Sequence, residues 1–211
     1  MTSLRRRFAV ALAVAVASLA LAAGPVRAGA PLDQLRLQVD RVLKVLDDPE
    51  LKKENKAKER RVAVRKIANE IFDFSETAKR SLGRHWLART PAERDEFVQV
   101  FTDLLERSYI SRVELYGGEK IQYVSDTIEE GEQAKVQTKI VTKQGSEIPI
   151  EYRMHKKGEK WLVYDVIIEG VSLVANYRTQ FNKIIQTSSF QELVKKMKSK
   201  QEELASGGTP S

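Results

Sequence analysis

The spacing of apolar residues changes period twice along this chain, and that change limits the possible folds more than any other feature. From Leu32 to Leu46 the residues Leu32, Leu35, Val39, Val42, Leu43 and Leu46 recur at intervals of three and four, which marks one face of a helix. Asp47-Asp48-Pro49 ends that helix and starts the next. There the charge-dense Lys52–Arg61 leads into Val64, Ile67, Ala68 and Ile71 at helical spacing. Interleaved Glu54 and Glu59 read this basic run as a solvated helix face rather than a docking patch. Phe74 to Leu82 predicts a short helix ended by Gly83. Thr90-Pro91-Ala92-Glu93 combines an N-cap threonine, a first-turn proline and a glutamate placed to reach back. The helix it opens runs to about Val113, and Gly117-Gly118 closes that segment.

From Lys120 the period is two. Lys120–Val124, Ala134–Val141 and Ile148–Met154 alternate, and Trp161–Ile168 is a fourth, more continuously apolar run. The links at Glu130-Gly131, Gln144-Gly145-Ser146 and Lys157-Gly158 are too short for the crossovers that parallel strands need, so the strands form an antiparallel meander. After Gly170 the helical period returns in Leu173, Val174, Tyr177, Phe181, Ile184 and Ile185, then in Phe190 to about Leu204. With no internal repeat and no long linker, the expected fold is a single α+β domain over residues 29–204. It is a four-stranded antiparallel sheet packed against N- and C-terminal helices.

The first residues belong to a different class of segment. Arg5, Arg6 and Arg7 precede the run Phe8–Ala23 of apolar and small residues, and Pro25 and Val26-Arg27-Ala28 follow. These are the three parts of a secretory signal peptide, 1–28, cleaved after Ala28 or, as second choice, after Ala30. At 16 residues the apolar run falls short of the roughly 20 that span a bilayer, although an uncleaved anchor is the alternative. Removing Arg5, Arg6, Arg7 and Arg27 leaves 32 basic against 29 acidic residues. The formal charge of +7 therefore falls to +3, which gives little reason to invoke nucleic acid. The absence of cysteine excludes disulfide scaffolds, thiolate nucleophiles, zinc knuckles and a lipidated cysteine anchor. The tail Ala205–Ser211 is expected to be disordered.

Catalytic and metal chemistry find little support. His85 and His155 are the only histidines, and neither has a second ligand at metal spacing. Ser172, His85 and Asp165 compose a triad on paper, but no G-x-S-x-G elbow frames the serine. Asp165 interrupts the apolar strand Trp161–Ile168, so it requires a fixed partner such as Arg178 or a backbone amide.

Two segments carry a family likeness. Trp161-Leu-Val-Tyr-Asp-Val-Ile-Ile-Glu-Gly-Val-Ser-Leu-Val-Ala-Asn-Tyr-Arg-Thr-Gln-Phe181 resembles a signature of the MlaC family, also called toluene-tolerance or auxiliary organic-solvent-resistance proteins. Leu82-Gly83-Arg84-His85-Trp86, followed by Thr90–Phe97, resembles the middle motif of the same family. The resemblance implies a fold related to the NTF2-like type and no enzymatic activity or cofactor. It also implies a periplasmic phospholipid carrier, with acyl chains held between sheet and helices. The partners so implied are an outer-membrane lipoprotein–porin complex and the substrate-binding ring of an inner-membrane ABC transporter, and the role is maintenance of outer-membrane lipid asymmetry.

Under that reading the acyl-chain lining is drawn from three places. The capped helix supplies Phe97, Phe101, Leu104, Leu105 and Tyr109. The strands supply Tyr123, Val136, Ile140, Ile150, Tyr152, Val166 and Ile168, and the last motif supplies Val171, Val174, Tyr177 and Phe181. Arg84, Arg178 and Lys183 are the candidates to meet the phosphate of the headgroup, though each is equally able to form a structural ion pair. Two other functions stay open on the residues alone: an NTF2-like periplasmic enzyme using Asp165 or His85, and an envelope interaction module with a filled core.

Overall fold

The computed structural model describes residues 30–130 and 132–205, so the expected signal peptide, its cleavage site and residues 206–211 of the tail lie outside the described residues. Helix α1 (Ala30–Asp47) buries Pro31, Leu32, Leu35 and Leu46, as its apolar spacing predicts. Its polar residues fix where it lies. Leu32 N donates to Asp126 Oδ2 at 3.3 Å, and Gln34 accepts from Trp161 N at 2.8 Å while donating to Glu159 O at 3.3 Å.

The second helix, α2 (Ala57–Ile71), starts later than the spacing predicts. Asp48 Oδ1 accepts the amides of Glu50 and Leu51 at 2.8 and 3.2 Å, a local turn that competes with helix. One 3₁₀ turn at Glu54–Lys56 then leads in. Most of the basic run is paired with acids of this chain: Lys52 with Asp47, Lys53 with Glu50, Lys56 with Glu59, and Arg60 and Arg61 both with Glu114.

Helix α3 (Phe74–Leu82) is capped by Asp73, whose Oδ1 accepts Glu76 N at 3.0 Å, and it ends at Gly83 with φ +57°. Helix α4 (Pro91–Val113) opens on the expected reciprocal cap. Thr90 N donates to Glu93 Oε2 at 2.9 Å, and Glu93 N donates to Thr90 Oγ1 at 3.2 Å.

The sheet has five strands rather than the expected four: β1 (Lys120–Glu129), β2 (Gln133–Val141), β3 (Glu147–Lys157), β4 (Lys160–Ile168) and β5 (Val171–Ser172). They lie in chain order and every pairing is antiparallel. The fifth strand was invisible to periodicity because two residues cannot show a period. It folds back through Glu169 and Gly170, both at positive φ, so that Ile168 faces Val171 and Ile167 faces Ser172. Strand β1 continues well past Val124, since a bulge between Tyr123 and Ser125 shifts the alternation by one residue and hides the continuation. Helices α5 (Leu173–Thr187) and α6 (Phe190–Ala205) follow, so Ala205, assigned to the tail from sequence, closes the last helix.

Among the described residues the core divides into two clusters. Helices α1 and α2 pack Leu32, Leu35, Ile67 and Ile71 against Ala134, Val136, Met154, Trp161 and Val163 of the sheet. Helices α3 to α6 enclose an aromatic cluster in which Phe97 packs on Phe101, Phe181 and Phe190 at centroid distances of 5.7, 5.7 and 6.1 Å. Thr77 of α3 joins the layers by donating to Tyr164 O of β4 at 2.9 Å. Among the described residues no helix is long and apolar enough to cross a membrane.

Candidate functional site

Register places the residues of the sheet face that α1 and α2 cover. Across the strands, Asp126, Val136, Tyr152 and Val166 stand opposite one another, and the next row holds Tyr123, Thr138, Ile150 and Ile168. The row beyond holds Ile121, Ile140 and Ile148. Val136, Tyr152 and Val166 of the first row, with Tyr123, pack into the α1/α2 cluster. The isoleucines Ile121, Ile140, Ile148, Ile150 and Ile168 enter neither cluster of the described residues, and all but Ile150 are half-buried or exposed. Half the inner face is thus a packed core, and its continuation is an apolar strip without a cluster of its own.

A line of hydroxyls separates the two halves. Tyr152 shares a side-chain hydrogen bond with Thr138, and burial pushes the Tyr152 hydroxyl pKa up. Burial pushes the Tyr123 pKa up as well, with Asp40 and Tyr152 adding to the effect, while Arg36 lies over the Tyr123 ring at 4.6 Å.

The structure separates the sequence-predicted lining residues into groups. Phe97, Phe101, Leu104, Leu105 and Phe181 are buried among themselves in the helical cluster, with Tyr109 and Tyr177 packed on its margin. Val174 is buried in the first turn of α5. Tyr123, Val136, Tyr152 and Val166 belong to the sheet-side cluster, whereas Ile140, Ile150 and Ile168 lie on the strip. Val171 is 61% exposed on β5. Two strip residues, Ile121 and Ile148, were not singled out from sequence. Their signal is the meander register, which sets both opposite Ile140.

The two motif segments meet in space. Arg178 of the last motif donates through Nε to Arg80 O at 2.8 Å, and its stem crosses Gly83 so closely that a Cβ there would lie 3.3 Å from Arg178 Cδ. Arg84 Nη2 donates to Asn182 Oδ1 at 2.7 Å, and His85 Nε2 lies 3.0 Å from the same oxygen. Leu82, Arg84, His85, Arg178, Thr179 and Asn182 line a cleft of about 350 Å³. Of the three headgroup candidates, Arg84 and Arg178 therefore share one cleft, and Lys183 is exposed beside it on α5 without lining it.

Asp165 does not pair with Arg178. Its Oδ1 accepts Val174 N at 3.0 Å and its Oδ2 accepts Ser172 Oγ at 2.7 Å, so it caps α5 from the neighbouring strand. Ser172 in turn accepts Ala175 N at 3.0 Å. Ser172 thus bonds Asp165 directly while His85 meets Asn182, so no histidine stands between serine and acid and the paper triad is not assembled. The other histidine, His155, lies 3.2 Å from Asp73 Oδ2, which also accepts Lys157 Nζ at 3.0 Å. Desolvation alone would push the Asp73 carboxyl up, but Glu76 N and Lys157 outweigh it and hold the pKa below the usual range. Among the described residues no group of three or more His, Asp or Glu side chains is placed to hold a metal ion.

The sequence pattern of the family described as "MlaC protein" matches residues 37–199, which covers most of the chain. The chain belongs to the MlaC family. Two curated relatives agree with that membership. The intermembrane phospholipid transport system binding protein MlaC of Haemophilus influenzae is 25% identical over 120 residues, covering 55% of this chain and 56% of that protein. The toluene tolerance protein ttg2D of Pseudomonas putida is 26% identical over 97 residues, covering 46% and 45%. The chain thus spans about half the length of the curated MlaC relatives it matches. A solved structure of a phospholipid-binding protein from Ralstonia solanacearum, in complex with a phospholipid, superposes with a TM-score of 0.72 over 83% of this chain and 98% of that one. At 24% identity, that likeness shows a shared fold.

Proposed function

We propose that this MlaC-family protein is a periplasmic phospholipid carrier that lays acyl chains along the isoleucine strip of its sheet. The observation that carries the reading is the strip itself: Ile121, Ile140, Ile148, Ile150 and Ile168 extend an apolar face beyond the core that α1 and α2 fill. An apolar surface outside a packed cluster calls for an occupant, and the relatives' names identify a phospholipid as a fitting one. Arg84 and Arg178, which pair with no carboxylate among the described residues, are the candidates to face an anionic headgroup. The enzyme alternative loses support, because the oxygens of Asp165 are taken by the cap of α5.

Energetics then set how such a carrier works. Two acyl chains of about 15 methylenes each gain roughly 0.8 kcal/mol per methylene on leaving water, about 24 kcal/mol in all. A bilayer supplies nearly the same gain, so transfer from membrane to protein is close to thermoneutral and affinity cannot set its direction. A carrier of this kind needs a docked donor and acceptor that keep the path dry. The outer-membrane lipoprotein–porin complex and the ABC transporter ring are the partners that fit, with ATP hydrolysis at the second supplying direction.

Native mass spectrometry of protein purified from cells tests this reading. Co-purifying diacyl phospholipid is the expected result, and a clean apo mass under gentle conditions excludes the carrier.

A further inference from the structure

The hydroxyl of Tyr123 is buried and has no hydrogen-bond partner among the described residues. Buried polar groups in folded proteins are satisfied with few exceptions, because a donor removed from water and left unpaired loses its hydration without replacement. Phenylalanine would fill the same space at no such cost. The surroundings offer no remedy: Thr138, opposite on β2, is engaged with Tyr152 and weakly with Ile150 O at 3.5 Å, and Arg36 stacks on the ring rather than bonding its edge. Tyr123 also stands at the boundary between the packed half of the inner face and the isoleucine strip, one row from Ile121 and Ile140.

We propose that the Tyr123 hydroxyl is a ligand-reading group that donates a hydrogen bond to a carbonyl oxygen of the bound lipid's glycerol ester linkage. The inference rests on the carrier reading and deepens it. A neutral carbonyl is the acceptor that fits this position. A phosphate drawn so far in would meet the Asp40 carboxylate as well as the Arg36 guanidinium, so the local charge gives an anion no clear advantage, and a plain methylene would leave the hydroxyl as costly as before. Such a bond sets how deep the chains sit, because it fixes the ester group at the end of the strip. It also makes the protein favour diacyl lipids over lipids joined through ethers.

The experiment compares diester phosphatidylethanolamine with a diether phosphatidylethanolamine of equal chain length, loaded from mixed vesicles and counted by native mass spectrometry. Wild-type protein is expected to retain the diester about 3- to 10-fold over the diether, the range of one net hydrogen bond. The Tyr123→Phe protein is expected to lose that preference, while its delipidated form unfolds at a temperature equal to or above that of delipidated wild type. Equal retention of both lipids by wild type overturns the proposal without needing any variant. A preference unchanged in Tyr123→Phe, or a delipidated variant clearly less stable than wild type, overturns it too, since a buried water or the protein itself then satisfies the hydroxyl. If wild type retains neither lipid, the carrier reading itself fails and takes this inference with it.

Discussion

Replacing Asp165 with alanine tests whether the contact between strand and helix holds the last motif in place. Asp165 is 3% exposed, and its two oxygens accept from two groups at the start of α5: the Val174 amide at 3.0 Å and the hydroxyl of the capping Ser172 at 2.7 Å. The nearest cation, Arg153, is 3.9 Å away, so most of the carboxylate's compensation comes from those two donors. Hydrogen bonds to a charged group are worth about 1.5–3 kcal/mol each. Relief of the carboxylate's own desolvation offsets part of their loss, so Asp165→Ala should cost about 3–4 kcal/mol. Asp165→Asn keeps an acceptor for Val174 N and gains a donor for Ser172 Oγ, so it should cost about 1–2 kcal/mol. In urea titrations followed by circular dichroism, the alanine variant should lose a large part of a total that is about 5–15 kcal/mol for proteins generally. Its thermal midpoint should fall by about 6–15 °C. A cycle with Ser172→Ala should show coupling of about 1 kcal/mol, because the serine links Asp165 to the Ala175 amide. If the alanine and asparagine variants are equally stable, or both match wild type, the carboxylate is not the cap and the reasoning fails.

Gly83→Ala should destabilise by about 1–3 kcal/mol in thermal melts, since φ is +57° and the new Cβ would press on Arg178 Cδ; an unchanged midpoint would show that the two motifs do not constrain each other. The lowered pKa of Asp73 means that its contribution is present above the unfolded value of about 3.9 and is lost as pH falls through the folded value. Asp73→Asn should therefore be less stable than wild type at neutral pH and converge with it in strong acid, and a gap independent of pH contradicts that sign. Finally, Phe101→Ala should cost about 3–5 kcal/mol in delipidated and loaded protein alike, whereas Ile140→Ser should reduce co-purified lipid with little effect on the delipidated midpoint. The reverse pattern would place the ligand in the helical cluster instead of on the sheet.

What the sequence disclosed and what it withheld follow from the same physics. A helix or strand with one buried face writes its period into the chain, which is why α1 and strands such as β2 were legible from spacing, whereas α4 was legible from its cap. A bulge destroys the period locally: Val124 and Ser125 break the alternation just where β1 continues toward Asp126 and Ile128. A local turn does the same to the start of α2 at Asp48. The partner of a buried charge is less legible still. Asp165 announced that it needed one, but choosing between Arg178 and a backbone amide required the two-residue strand that turns the chain back onto it.

The candidate site was legible only in part, and for a different reason. An aromatic stripe that packs on other aromatics and one that packs on a ligand read identically along the chain. Phe97, Phe101 and Phe181 are buried because Phe190 and Leu193 of α6 lie against the same cluster, a tertiary fact with no local signature. The isoleucines of the strip gave a weaker signal than those aromatics, yet on this sheet face they form an apolar row that neither cluster absorbs. That division suits a carrier. A molecule that must release its cargo cannot depend on the cargo for its fold, because each release would then expose a disrupted core. Here the aromatic cluster closes on side chains from four helices, and the sheet-side cluster closes on α1 and α2. Under the carrier reading, emptying the strip leaves both clusters packed, with a row of partly covered isoleucines and one buried, unpaired tyrosine hydroxyl. The cost of the empty state is then confined to the surface on which a new lipid would land.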